Sequence, residues 1–431
     1  MRAAGRLRLA ERIVRRGGAL HLMPGLRCGS VWPAADPGLM WDGGGMGLVT
    51  VPLPVDELAV LRGRRSAKWR TYPADVLPLT ISETDFPIAE PIAEVLREAV
   101  SRSDTGYAMP APELGSAVAG FADARWGWPV EPGLVTAVTD VSTGCVGLLR
   151  ACCRPGEAVV ISPPVYPPFF DWVAEVGARL IEAPLRQDGS GMWRLDLDAL
   201  RDAFRARPAA YILCSPHNPV GRVHDRGELE AVVQLAHSYG VRVISNEIHA
   251  PLVLEGAAFT PLLTVPGAAE IAVSLVSASK GWNLAGLKCA AIVAGSPAMQ
   301  AVVGQLPPDG RWRIGHFGVL ATVAALTTGQ PWLDALLATL SMRRRQLGDL
   351  IAAQLPDVRW QPPQATYLAW LDCRRIGDGE QPRNVFLDRG RVALEPGPRF
   401  GAPGSGFVRL NFGTSEAVLA EAIDRMASAL S

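Results

Sequence analysis

Lysine is nearly missing from this 431-residue chain: Lys68, Lys280 and Lys288 are the three lysines among 42 Lys and Arg residues. Where arginine serves almost every cationic need, a retained lysine marks a place that guanidinium cannot fill. An amine that must lose its proton and attack a carbonyl is one such place. A coding bias toward arginine explains the count equally well, so the count alone leaves both readings open. Position favours one of the three. Lys280 lies in Ser277-Ala278-Ser279-Lys280-Gly281-Trp282-Asn283, directly after the apolar run Ile271 to Val276, which makes it the first candidate for a Schiff-base lysine.

Other absences narrow the class. The 42 basic residues are scattered and balanced by 42 acids, giving a net charge of +0, so there is no nucleic-acid footprint. The run Arg343-Arg344-Arg345 reads as a solvated helix face. Cys28, Cys145, Cys152, Cys153, Cys214, Cys289 and Cys373 are odd in number and lack paired ligand spacing, and the six histidines show no metal pattern. Buried thiols in a reducing cytoplasm are the expectation. No uninterrupted apolar stretch reaches bilayer length. There is no internal repeat and no GxGxxG after a strand, which argues against a dinucleotide fold.

Residues 1–52 differ from the rest. Arg2, Arg6, Arg8, Arg12, Arg15 and Arg16 open them and Gly43-Gly44-Gly45 follows, without an apolar h-region or a small-residue cleavage site. They are expected to be a disordered or non-native extension.

From about residue 90 to 295 helix and strand patterns alternate. Glu90 to Val100, Glu113 to Arg125 and Glu228 to Ser238 read as helices. Ala158 to Ile161, Ala209 to Cys214, Val241 to Ile244 and Ile271 to Val276 read as strands. Strands with helices between them imply an α/β architecture whose mostly parallel sheet is covered on both faces. At the carboxyl ends of these strands the sequence turns polar, as Ser162-Pro163-Pro164-Val165-Tyr166, Ser215-Pro216-His217-Asn218-Pro219, Ser245-Asn246-Glu247-Ile248-His249 and Ser277 to Lys280. Ligands of open α/β sheets bind just outside such ends, so the four segments converge on one site. After Trp312 a helix from Trp332 to about Leu355, strand-like Tyr367 to Cys373, Arg391 to Leu394 and Phe407 to Phe412, and a helix from Ser415 to Leu430 suggest a smaller α+β domain. The expected organisation is an N-terminal arm over 53–95, a large domain over 96–310 and a small domain over 311–431.

The ordered set "SPPVYPPFF", "LCSPHNPVGRV", "ISNEIHAPLVL", "SASKGWNLAGLK" and "FVRLNF" resembles the pyridoxal-phosphate-dependent aminotransferases of fold type I, class I/II. Within them it is most similar to the cystathionine β-lyase-like, C–S lyase branch, from about Asp56 to the C-terminus. The resemblance implies a seven-stranded-type large-domain sheet, pyridoxal 5'-phosphate (PLP) as cofactor, an amino-acid substrate and a homodimer. It makes Lys280 the cofactor-binding lysine and the base that moves the Cα proton, Tyr166 a ring-stacking residue, and Asn218 the partner of the cofactor's phenolic oxygen. His249 joins the cofactor-binding set. For the phosphate it implies Ser277, Lys288 and a Tyr107 lent by the partner subunit. The amides of Val141 and Ser142 open the helix that follows Asp140 and suit the same phosphate, while Ser142 or Thr143 serves equally as an ordinary N-cap. Arg409 is expected to clamp the substrate carboxylate, for which a bidentate guanidinium fits best.

Two departures stand out. Where the family reads Asp-Glu-Ile-His, this chain reads Asn246-Glu247-Ile248-His249, and an amide replaces the carboxylate that keeps the pyridine nitrogen protonated. Ser82 and Thr84 stand where relatives carry Ala and Met, in the stretch that walls the substrate side chain, and put cystathionine itself in doubt as substrate. Three functions stay open: β-elimination from a cysteine S-conjugate, transamination (including a decarboxylating variant), and cofactor binding with little catalysis.

Overall fold

The computed structural model describes residues 52–108, 112–376 and 381–431. The expectation for residues 1–52 therefore lies almost wholly outside the described residues. Seven strands form the main sheet: β1 Val135–Val138, β2 Ala158–Ile161, β3 Arg179–Glu182, β4 Ala210–Cys214, β5 Arg242–Asn246, β6 Ala272–Val276 and β7 Ala290–Ala294. Their order is β1-β7-β6-β5-β4-β2-β3, and β7 alone runs antiparallel, to both its neighbours. The strands β2 and β4 are buried along their whole length, which is why they read as continuous apolar runs rather than alternating ones.

Register brings the polar strand ends together. Cys214 pairs with Asn246 across β4 and β5, and Asn246 pairs with Leu275 on β6. The segments beginning at Ser215, Glu247 and Ser277 thus leave the sheet at one edge. Two helices covering the sheet end as local chemistry dictates. Helix 226–239 begins at a reciprocal capping box between Asp225 and Glu228 and stops at Gly240, whose φ is 70°. Helix 141–152 is capped by Asp140 and lies so close to the sheet that a Cβ on Gly144 would sit 3.0 Å from Leu275 Cδ2.

A second sheet is wholly antiparallel. Its strands β8 Arg359–Trp360, β9 Leu368–Asp372, β10 Glu395–Pro396 and β11 Phe407–Asn411 lie in the order β8-β9-β11-β10. The expected strand at 391–394 is confined to Val392–Ala393, and a separate strand follows just beyond it. Val392–Ala393 pairs in parallel with Leu77–Pro78, whereas Glu395–Pro396 joins Val408 and Arg409. The N-terminal arm is thereby built into the C-terminal part, and Asn411 N–H donates to Leu79 O at 2.9 Å. One hydrophobic cluster runs from Leu114 and Phe121 through Ala321 and Leu333 to Leu368, Leu410 and Leu419. Helix 316–327 packs against helices 90–101 and 112–126, so the expected 95/96 boundary falls inside a helix of this shared core.

Candidate active site

A cavity of about 330 Å³ opens at the carboxyl edge of the main sheet. Its walls include Ser82, Val141, Ser142, Tyr166, Asn218, Asn246, His249, Ser277, Lys280, Lys288 and Arg409, nearly the whole set expected from the sequence.

Lys280 reaches it from the turn after β6. Its Nζ donates to the main-chain oxygen of Ser82 at 2.9 Å. Burial, then the nearby charge of Arg409, lowers its ammonium to about 8, with Glu83 opposing. The amine is therefore far easier to deprotonate than an ordinary lysine's.

Arg409 sits on β11 with Val408 and Leu410 turned into the core. Both strand faces are covered, so this arginine is 4% exposed. Its Nη1 donates to Asn218 Oδ1 at 3.0 Å and its Nη2 to Thr80 O at 3.0 Å, and it lies 5.0 Å from the Phe400 ring. Among the described residues its buried Nε–H has no acceptor. An orphaned donor of this kind costs about 1–3 kcal/mol, which an incoming carboxylate would relieve.

The anion end is built on helix 141–152. Thr143 N–H is taken by Asp140 Oδ1 at 2.8 Å, so Asp140 is the N-cap in place of Ser142 or Thr143. The amides of Val141 and Ser142 make no hydrogen bond among the described residues and remain as donors for an anion. Lys288 Nζ stands 3.0 Å from Asp140 Oδ2. Ser277 Oγ donates to Cys289 O at 2.9 Å and accepts from Ser279 N–H at 3.1 Å, so its hydroxyl must rotate to serve a phosphate.

Tyr166 contributes its ring to the wall and meets Trp172 edge-on at 6.2 Å. His249 is buried, and burial, reinforced by Lys280 and Arg409, holds it down to about 3, so its imidazole is neutral. Asn246 Oδ1 accepts from Ile248 N–H at 3.2 Å. These features fit a phosphate-bearing pyridine aldehyde: two free helix amides and a cation at one end, an amine of lowered pKa at the other, and neutral polar groups between.

Two expected residues are placed elsewhere. Thr84 is buried but does not line the cavity. Its N–H donates to Asn283 Oδ1 at 3.0 Å and its carbonyl accepts from Asn283 Nδ2 at 3.1 Å, which turns the side chain away toward Gly413. Tyr107 is 79% exposed, edge-on to Trp312 at 5.8 Å, and does not line the cavity of its own chain. Sequence reasoning missed Asp140, Thr80, Tyr367 and the rim residues Glu395 and Arg399. Of these, only Asp140 carried a signal, as an Asp directly before a helix.

The model of the aminotransferase class I and II family matches residues 74–426. A Mycobacterium leprae protein, a candidate cystathionine beta-lyase by name, is 47% identical over 88% of this chain and 98% of its own. Cystathionine beta-lyase PatB of Bacillus subtilis is 34% identical over 86% of this chain and 97% of its own. The crystal structure of a candidate PLP-dependent beta-cystathionase from Corynebacterium diphtheriae superposes with a TM-score of 0.82 at 34% identity, over 88% of this chain and 99% of that one.

Proposed function

Because this chain belongs to the aminotransferase class I and II family and has its fold type I architecture, we propose that it is a PLP-dependent C–S β-lyase acting on a cysteine S-conjugate or a related amino acid. The observation that carries the reading is the pairing, in one cavity, of a lysine lowered to about 8 with a buried arginine that has an unused donor. The names of the relatives supply the C–S lyase chemistry.

The amides of Val141 and Ser142, with Ser277 and Lys288, would hold the phosphate. Tyr166, Asn218, Asn246 and His249 would surround the ring, and Lys280 would bind the aldehyde. When bound, the cofactor supplies a ring that delocalises charge developing at Cα. Arg409 fixes the α-carboxylate and so orients the Cα–H bond. Lys280, released on substrate binding, takes the Cα proton at Nζ. The Cβ–S pair leaves with sulfur as a thiolate, and hydrolysis of the resulting enamine yields pyruvate and ammonia.

Residues 96–310 would carry the cofactor, and 53–95 with 311–431 the substrate side, through Ser82 and Arg409. The exposed Tyr107 would complete the phosphate site of a second copy in a homodimer. The described cysteines are all free, which supports a cytoplasmic location. Among the described residues no helix is long and apolar enough to cross a membrane.

Transamination is the second reading, favoured by the family itself. Product analysis on cofactor-loaded protein with a panel of cysteine S-conjugates decides. Pyruvate with free thiol supports the lyase, and keto acid without thiol supports the transaminase. Cofactor absorbance without turnover would leave a binding protein.

A further inference from the structure

We infer that Asn246 presents its amide nitrogen as a hydrogen-bond donor to the cofactor's ring nitrogen and thereby keeps that nitrogen unprotonated, which restricts the enzyme to substrates with a good β-leaving group. The inference rests on the reading of the cavity as a PLP site.

The orientation of the amide is set by the chain. Asn246 ends β5, is 3% exposed and lines the cavity. Its Oδ1 is held by the N–H of Ile248, two residues on, at 3.2 Å. Flipping the amide would set an NH₂ against that N–H and leave two donors face to face. Nδ2 is therefore the atom left for the cavity, and among the described residues it has no acceptor. A group that can only donate is satisfied by a pyridine nitrogen carrying a lone pair and repelled by one carrying a proton.

Among the described residues, no acid on the cavity wall is free to supply that proton instead. Glu247 follows directly in the chain but points away, its Oε1 taken by Ser245 Oγ and Leu262 N–H, both at 2.9 Å. The carboxylates on the cavity wall are engaged elsewhere, Asp140 with Lys288 and Glu395 with Arg399. His249 is neutral, and the buried guanidinium of Arg409 disfavours a further positive charge.

A neutral ring is a weaker sink for the Cα electron pair. Proton removal by Lys280 is then productive when that pair is used at once: the Cα–H electrons become the Cα–Cβ π bond as the Cβ–S electrons depart with sulfur. Amino acids without such an outlet react slowly, which favours elimination over transamination.

The test is the nitrogen-15 resonance of cofactor labelled at the ring nitrogen, bound to wild type and to Asn246→Asp. The wild-type resonance is expected at the unprotonated position across the neutral range, and the variant's at the protonated position. With alanine, Cα proton exchange in deuterated solvent should rise roughly tenfold or more in the variant. A protonated wild-type resonance, or a resonance that Asn246→Asp does not move, overturns the inference. Borohydride reduction and peptide mapping distinguish the two levels: without label on Lys280 the cavity reading itself falls, whereas label on Lys280 with a protonated wild-type nitrogen removes the inference alone.

Discussion

Lys280 and Ser82 lie 198 positions apart, yet the lysine Nζ donates to the serine carbonyl at 2.9 Å. The same oxygen accepts from the Tyr367 hydroxyl at 2.9 Å, so three parts of the chain meet on one main-chain atom. Ser82 thus acts through its backbone, giving the free amine a resting place that holds it inside the cavity.

Covalent capture of the cofactor requires the neutral amine. An ordinary lysine would gain reactivity up to its usual value of 10.5, whereas Lys280, lowered to about 8, should level off near there. The measurement is the rate of reducible adduct formation by the cofactor-free protein against pH. Arg409→Ala removes a repelling charge and should move the inflection upward. With three lysines in the chain, peptide mapping is unambiguous, and an adduct on Lys68 or Lys288 instead would refute the assignment.

Arg409→Lys keeps the charge and loses the planar fork. Loss of a charge-assisted contact of about 1.5–3 kcal/mol predicts roughly a ten- to hundredfold rise in KM. A smaller loss in kcat should accompany it, because Asn218 also loses a partner at 3.0 Å. Unchanged KM with collapsed kcat would place the substrate carboxylate elsewhere.

The sequence reading reached most of this architecture because its signals were local. The strand Ala158–Ile161 stands where its apolar run predicts, and the helix expected from Glu228 to Ser238 lies within Arg226–Tyr239. Polar segments at the strand ends located the cavity without knowledge of strand order. What stayed hidden is long-range and carried by the main chain. The Ser82 and Thr80 carbonyls belong to no residue type, and the parallel pairing of Leu77–Pro78 with Val392–Ala393 joins ends of the chain that share no pattern. Thr84 was misplaced for the same reason: the Asn283 side chain that clamps its backbone is remote in sequence.

Tyr107 and Trp312 form an exposed edge-on pair at 5.8 Å on the described surface. If Tyr107 completes the phosphate site of a second copy, the active unit is a dimer. Sedimentation of the loaded protein should then show dimers, and Tyr107→Phe should weaken cofactor retention with the dimer intact. A stable monomer with full cofactor occupancy would sink the idea.

Behind the substrate wall, Lys68 Nζ and Asp85 Oδ2 meet at 2.8 Å with each side chain 1% exposed. Asp85 Oδ1 also accepts from Trp69 Nε1 at 3.0 Å, and Lys68 reaches Glu83 O at 3.3 Å, so the pair ties helix 67–70 to the loop that carries Ser82. Removing one partner strands the other as an unpaired buried charge. Asp85→Ala should therefore cost about 3–5 kcal/mol in denaturant unfolding. Replacing both ions with apolar residues, Lys68→Met with Asp85→Leu, should cost less than Asp85→Ala, since no charge is left without a partner. The Trp69 N–H would still lose its acceptor, leaving a residue of about 1–3 kcal/mol. Cofactor capture by Lys280 should survive in the double variant, while KM rises as the Ser82 loop loosens. A double variant less stable than the single one would mean that the pair contributes more than it costs to bury.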